Sequence, residues 1–331
     1  MESKIDFVII WVDGNDPEWR KEKSKYTPEK NTDSRDIRYR DWENLKYIFR
    51  GIEKYANWVN NVYFVTCGQT PSWMNTKYEK LKLINHKDYI PNQYLPTFSA
   101  NPIELNLHRI EELSDQFVFF NDDMFIIDYV KPTDFFYKNK PCESAILNPI
   151  TPEGKDIMEQ VFFNNTMIIN KHFNKKESIK NNISKWINLK YGKQLLRTLA
   201  CIGWNNFLGF KYTHLPTSFN KTTFEEIWKE EWEVLDKTSK NKFRSKEDLN
   251  QYVIKDWQLA SGNFVPRKYN WGKFFEISTH NIDEITNCIE KNKFKTICIN
   301  DKDIGDKFEE YKNKINNSFQ KILPEKSKFE I

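Results

Sequence analysis

Residues Ile5 to Val12 form an apolar run that ends at Asp13-Gly14, the pattern of a buried strand entering a turn. From Asp41 to Asn57 the pattern changes period. Leu45, Ile48, Phe49, Ile52, Tyr55 and Ala56 fall at helical spacing, with Asp41 as a candidate N-cap. A second strand is predicted over Asn61 to Cys67, stopped by Gly68, and a third over Leu81 to Asn85. Asn101 to Leu113 reads as a helix with Ile103, Leu107 and Ile110 on one face, and Phe117 to Asn121 as a buried strand running into Asp122-Asp123. Beyond Pro132 the alternation stops. Residues 140–170 look strand-like and irregular. The stretches 176–200, 222–236 and 246–260 look helical, and Phe308 to Leu323 reads as an amphipathic terminal helix. The pattern therefore predicts an α/β core over 1–135 and a largely helical lobe over 136–331.

Alternating strands and helices imply a mainly parallel sheet, and such sheets bind ligands beyond the carboxyl ends of their strands. Three predicted strands end there in polar residues: Asp13, Gly68-Gln69 and Asn121-Asp122-Asp123. Composition narrows the function. Lys and Arg number 51 against 47 Asp and Glu, a net +4, too balanced for a polybasic nucleic-acid binder. Aromatic residues make up 15%, which excludes a disordered chain and favours a core built around rings. The five cysteines are scattered with no CxxC pair, so they read as reduced, buried thiols. No apolar stretch has membrane-spanning length and no secretory leader pattern is seen, which predicts a cytoplasmic protein.

Several residues carry two readings. Asp122 and Asp123 would hold a divalent cation beside a diphosphate, since Mg²⁺ prefers hard oxygen ligands; they would equally serve as a solvated turn. Asn121 is a turn former or a further oxygen ligand. Gly14, Asn15 and Pro17 suffice for a turn and Trp11 reads as core; functionally, Trp11 and Asp13 would line a uracil and ribose pocket. There is no GxGxxG or GxxxxGK[ST] loop, so nothing marks an NAD-type enzyme or a P-loop NTPase. Arg38, Arg40 and Arg50 are anion-binding candidates or surface ion pairs. Glu104 and His108, four apart on the predicted helix, are an oriented base or a surface pair. His214, in a loop between the halves, has a side chain suited to general-base work. Arg244 is a possible anion clamp beside Ser245, a candidate helix cap.

Taken together these segments resemble the Stealth family of sugar-phosphate transferases, which includes bacterial capsule polymerases. Four blocks carry the resemblance, in the family's order and over nearly the whole chain. The first is Phe7 to Pro17. The second runs from Arg38 to Phe125 and holds Ile52 to Val59, Gly68-Gln69-Thr70-Pro71-Ser72-Trp73, Leu95-Pro96-Thr97-Phe98, His108-Arg109-Ile110 and Phe120-Asn121-Asp122-Asp123. The third contains His214-Leu215-Pro216, Phe243-Arg244-Ser245 and Asp248 to Tyr252. The fourth runs from Ile299-Asn300-Asp301 to Glu330. The chain departs from the family's usual run at Glu43-Asn44-Leu45-Lys46-Tyr47, where Asn44 replaces a Glu and Lys46 an Arg.

The resemblance implies an α/β, Rossmann-like fold of the glycosyltransferase-A kind. It also implies a reaction: hexose-1-phosphate passes from a UDP-sugar to a sugar hydroxyl, a phosphodiester forms and UMP leaves, in capsular or cell-surface polysaccharide synthesis. UDP-N-acetylglucosamine is one candidate donor. The expected roles are Mg²⁺ or Mn²⁺ on Asp122 and Asp123, His214 as base with His108 as second choice, and Arg109 and Arg244 on phosphate charge. Trp11, Val12, Asp13, Gly14, Arg40, Asp41, Asn101 and Asn121 are expected to line the nucleotide site. The implied partners are a nucleotide-sugar and a glycan acceptor, not nucleic acid. A capsule role implies peripheral contact with assembly machinery at the inner membrane face, to which the lysines of the terminal helix would contribute. The competing readings are a metal-dependent glycosyltransferase that releases UDP and a non-catalytic carbohydrate-binding protein.

Overall fold

A computed structural model of the chain describes residues 4–27, 40–154 and 156–331. In chain order its strands are β1 (Ile5–Ile10), β2 (Val62–Thr66), β3 (Leu81–Asn85), β4 (Gln116–Phe120), β5 (Met124–Ile126), β6 (Phe136–Tyr137), β7 (Lys140–Glu143), β8 (Thr217–Asn220), β9 (Val265–Pro266), β10 (Gly272–Glu276) and β11 (Thr296–Asn300). The main sheet has the order β3-β2-β1-β4-β8. β1 to β4 run parallel, and β8 pairs antiparallel with β4. β1, β2 and β4 are buried along their whole length, so they read as apolar runs rather than alternations.

Successive side chains of these strands feed two cores. Phe7, Ile9, Phe64 and Phe120 face one, with Ile48 and Phe49 of the Leu45–Tyr55 helix and Phe319 of the Phe308–Ile322 helix. Val8, Tyr63, Val65, Phe117 and Phe119 face the other, with Phe224 and Trp257. In the midst of this apolar strand, the buried carboxylate of Asp6 accepts from Asn60 Nδ2 (2.7 Å), Asn61 N (3.0 Å) and Ser114 N (2.8 Å). It thereby levels the starts of β2 and β4 with that of β1, so that their far ends come out together.

The second half is largely helical, as expected, and also contributes strands. Its β8 completes the main sheet, and β10 and β11 form a second sheet with β5 in the order β10-β11-β5. Strands from both sides of residue 135/136 therefore share sheets. The strand-like reading of 140–170 is also corrected: Met158–His172 is a helix, with Val161, Asn165, Thr166, Ile168 and Ile169 inward. The helical stretch expected over 176–200 is broken into short pieces, among them Lys175–Asn181, Ile183–Trp186 and Leu195–Cys201. Asp41 is not an N-cap. Glu43 adopts φ +55°, which stops the helix from reaching back, and it begins at Leu45 after Asn44. Ser245 does not cap the next helix either, which begins at Tyr252.

Arg50, considered above for anion binding, is committed to the fold. Its guanidinium grips Glu330 through Nε–Oε1 (2.8 Å) and Nη2–Oε2 (2.7 Å), and Nη1 donates to the Leu323 carbonyl (3.0 Å). Both side chains are almost fully buried, at 7% and 4% exposure. Nearby, Gly51 lets this helix lie against β5, because a Cβ there would stand 2.5 Å from the Ile126 carbonyl oxygen. Removing one member of a buried pair strands the other charge. Arg50→Ala is therefore expected to lower unfolding free energy by about 3 kcal/mol in urea titrations. Burial alone would raise the Glu330 pKa, but Arg50 and Ser327 hold it below its ordinary value. Its contribution is thus present above the ordinary carboxylate range and lost as the pH falls through the depressed value. The wild-type advantage over Glu330→Gln should shrink in acid.

Candidate functional site

The loop after β1 is built by short-range hydrogen bonds. Asp16 caps the Pro17–Tyr26 helix through Glu18 N (2.9 Å), and Asp13 Oδ1 accepts from Asn15 N (2.8 Å). Gln69, in the turn after β2, ties this loop down. It accepts from Asp13 N (2.8 Å) and donates to Asp13 O (3.0 Å) and to Asp16 Oδ2 (2.8 Å). Trp11 is half-buried and stacks on Phe64 at 5.6 Å. Val12 packs on a cluster of Trp19, Phe98 and Phe243. Gly14 is buried, and its carbonyl accepts from Arg20 Nε (2.6 Å).

Beside this loop, β4 ends in Asn121-Asp122-Asp123. Asp123 O accepts from Ile299 N (2.9 Å), and Cys298 lies opposite Met124, so β11 closes over the turn. Asp123 Oδ2 faces His214 Nε2 at 3.5 Å, and His214 Nδ1 lies 3.1 Å from the Tyr252 hydroxyl. His214 adopts φ +43°, a left-handed conformation unfavourable for a side chain of this kind. Such strain persists only where the surroundings impose it. Here Tyr252 and Asp123 hold the ring on both edges.

The charges are strongly coupled. Burial would raise the Asp123 pKa, but the facing His214 brings it below the ordinary value. Burial would lower that of His214, but Asp123 and then Glu104 raise it. Asp122 still reaches solvent, yet desolvation, Asp123 and Asp41 push its pKa up to about 7. Asp41 in turn is raised by desolvation and by the charges of Glu43 and Asp13. Four carboxylates thus converge where β1 and β4 end, the switch point of the sheet. Asn121 Oδ1 and Asp123 Oδ1 are buried with no hydrogen-bond partner among the described residues. Unsatisfied hard oxygens among repelling carboxylates suit Mg²⁺ or Mn²⁺. Donor atoms of Asp123, His214 and Cys298 also lie within 4.8 Å of one another, a possible softer site. Burial and Asp123, however, raise the Cys298 thiol well above its ordinary pKa, which disfavours the thiolate that such a metal requires.

Arg244 and Glu104 adjoin His214, since each contributes to the others' charge environment. Asn101, expected on the nucleotide, instead donates to Asp248 Oδ2 (2.8 Å). Asp248 also accepts from Ser245 N (2.9 Å) and Asn241 Nδ2 (2.6 Å), which shapes the loop that carries Arg244.

Two expected catalytic residues are placed elsewhere. The helix over Asn101 to Leu113 ends at Leu105, and Leu107–Arg109 continues as a tighter 3₁₀ turn. The change of pitch separates Glu104, beside Arg244, from His108, which is buried and stacked on Phe224 (5.8 Å) near Trp228. Arg109 lies over Trp228 at 4.6 Å and donates to Asn106 Oδ1 (2.8 Å). Arg40 makes a paired contact with Asp301 (2.9 and 2.5 Å) and lies 4.0 Å over Phe308, so its guanidinium is engaged within the fold. Asp41, next to it, stays exposed and accepts from Glu43 N (2.7 Å). Arg38 lies outside the described residues. The sequence reading assigned no role to Tyr252 or Cys298. Tyr252 opens the wholly buried Tyr252–Ala260 helix, and Cys298 sits in a β-branched run, Thr-Ile-Cys-Ile, that was a legible strand signal.

Two conserved-region models of one family match the chain: Stealth protein CR1 over residues 3–30 and Stealth protein CR2 over residues 38–143. The capsular polysaccharide phosphotransferase WcwK of Streptococcus pneumoniae is 44% identical over 99% of this chain and 98% of its own. The chain belongs to the Stealth family. The receptor polysaccharide phosphotransferase WefC of Streptococcus gordonii is 41% identical to this Stealth protein over the full length of both. Among solved structures, the galactosyltransferase LgtC with donor and acceptor sugar analogues matches at a TM-score of 0.41 and 9% identity, over 94% of this chain and 95% of that one. With relatives named as phosphotransferases across its whole length, the Stealth protein is an enzyme of the transferase class.

His108 gives this part of the Stealth fold a pH signature. Burial, together with Arg109 and Lys221, lowers its pKa from 6.5 to about 3. Between those values the unfolded chain binds a proton that the folded chain refuses, so stability falls as the pH falls, by up to about 1.4 kcal/mol per unit. Urea midpoints measured from pH 7 to pH 5 should drop less steeply in His108→Phe than in the wild type.

Proposed function

We propose that this Stealth protein transfers hexose-1-phosphate from a UDP-sugar to a sugar hydroxyl, releasing UMP, in capsular or cell-surface polysaccharide synthesis. Phosphotransfer in polysaccharide synthesis is the activity for which its full-length relatives are named. The observation that carries the reading is the convergence of His214 and Arg244 on Asp122 and Asp123, which lie within the region matched by the Stealth CR2 model, beside the β1 loop.

Asp122 and Asp123 would hold the cation, with Asn121 as a further oxygen. When bound, it would neutralise the diphosphate and draw charge from the departing phosphate. Trp11, Val12, Asp13 and Gly14 form the nucleotide side of the pocket, held in place by Gln69. The acceptor oxygen attacks the phosphorus that bears the sugar, in line with the oxygen bridging to the uridine phosphate. The new phosphorus–oxygen bond forms, the bridging bond breaks and UMP leaves with the electron pair. His214, oriented by Tyr252, receives the acceptor's proton, and Arg244 meets the charge that builds on phosphate. Glu104 keeps Arg244 beside the histidine.

Incubation with Mg²⁺, a panel of UDP-sugars and oligosaccharide acceptors should yield acceptor-dependent UMP. Acceptor-dependent UDP would instead identify attack on the anomeric carbon, an ordinary glycosyl transfer. Sugar binding with no nucleotide release would favour the non-catalytic reading. His214→Ala should lower turnover by roughly 10²- to 10⁴-fold, the usual worth of general acid–base help, while donor affinity changes little. A parallel loss of donor affinity would reassign His214 to binding. Asp123→Asn should remove the metal dependence of UDP-sugar binding in calorimetry.

A further inference from the structure

The segments between β7 and β8 bury part of their apolar side chains and expose others. In the Leu195–Cys201 helix Thr198 and Cys201 face the core, while Leu196 and Leu199 are 68% and 42% exposed. Leu189 just before it is 90% exposed and Trp204 just after it 55%. Phe163 and Met167, one turn apart on the outer face of Met158–His172, are 55% and 51% exposed. These segments are neighbours. Asn170, next on that face, exchanges two hydrogen bonds with the Phe207 backbone (2.8 and 2.9 Å).

The exposed loop is also pinned. The ammonium of Lys175, itself buried, donates to the carbonyls of Cys201 (2.6 Å), Ile202 (3.2 Å) and Trp204 (2.7 Å). A buried lysine that fastens three carbonyls holds the Trp204 loop in an outward position. A soluble surface gains nothing from such an arrangement, so this cluster of exposed apolar side chains calls for an occupant.

Charge says which. From residue 161 to residue 220 the chain carries nine Lys and Arg against one acid, Glu177, whereas the whole chain has 51 against 47. Lys176, Lys180 and Lys193 make no ion pair among the described residues, and burial and then the charge of Arg197 lower the pKa of Lys211. The terminal helix, the surface expected from sequence, is different. Its lysines are spent on acids of the protein: Lys312 on Glu43 and Glu309, Lys314 on Glu310, and Lys321 on Glu290. No helix among the described residues is long and apolar enough to cross a membrane.

We propose that the outer face of residues 163–204 is a docking surface for an anionic lipid bilayer. Leu189, Leu196, Leu199 and Trp204 enter the interface, and the unpaired lysines around them meet the headgroups. The Met158–His172 helix would then separate membrane from site. Phe163 and Met167 look outward, while Phe162 on its other side packs tilted against Tyr212 (4.4 Å) and edge-on against Tyr252 (5.7 Å), next to His214. The catalytic mouth would be held at the bilayer surface. The proposal does not depend on which bond the enzyme breaks.

The test is sedimentation of the full chain with vesicles of phosphatidylcholine alone and of phosphatidylcholine with about one-third phosphatidylglycerol. The wild type should sediment with the anionic vesicles about tenfold better than with the neutral ones, and raising salt from about 0.1 M to 0.5 M should weaken that binding severalfold. The triple variant Leu189→Ser, Leu196→Ser, Trp204→Ser should lose at least tenfold in binding with an unchanged thermal midpoint, since all three side chains are exposed. A second variant, Lys176→Glu with Lys180→Glu and Lys193→Glu, should lose the preference for anionic lipid. A wild type that stays in the supernatant overturns the proposal. So does a triple variant that binds as well as the wild type, or a patch that proves to drive self-association, with the wild type dimeric, the triple variant monomeric and neither bound to vesicles.

Discussion

Two neighbouring carboxylates at the end of a buried strand repel each other, and what surrounds Asp122 and Asp123 is an answer to that repulsion. Asp123 is kept charged by His214, and Asp122 is pushed toward neutrality near pH 7. His214 is held in a left-handed backbone conformation to face Asp123, and Tyr252 steadies its other edge. Arg244 and Glu104 add a second pair of opposite charges beside the first. The unsatisfied oxygens of Asn121 and Asp123 leave the balance incomplete, and the proposed divalent cation would complete it.

The sheet makes this arrangement possible. With β1 between β2 and β4, and the starts of the strands levelled on Asp6, the loops after β1, β2 and β4 emerge side by side. Gln69 bridges two of them and fixes the β1 loop through Asp13 and Asp16. Segments from the second half supply what the first half lacks. The β8 region brings His214, the loop before Tyr252 brings Arg244, and β11 covers the acidic turn. The site is the meeting place of both halves, not the property of one.

That division explains how much could be read from the chain. The buried strands β1, β2 and β4 were legible because parallel strands covered on both faces are apolar throughout, and their polar ends pointed to Asp13 and Asp122-Asp123. The pairing of His214 with Asp123 was not legible, since nothing local to either residue reports a contact across so much intervening chain. His108 misled for a physical reason. Helical spacing placed it beside Glu104, but the chain tightens to a 3₁₀ turn at Leu107 and rotates the imidazole into the aromatic cluster of Phe224 and Trp228. Arg40 and Arg50 show the same limit, because a guanidinium that clamps a carboxylate of its own chain looks, in sequence, like one awaiting a phosphate.

The pairing of β5 with β11 has a consequence for the order in which the molecule matures. During synthesis Asp122 and Asp123 emerge long before His214, and His214 long before Cys298 and Ile299. Contacts this distant in sequence form late, because the intervening chain must first be drawn in. A nascent chain with only its first sheet would carry the acidic turn without base, arginine or cover. The surroundings of the acidic turn are therefore completed only when β11, from the last third of the sequence, docks against Asp123 and Met124.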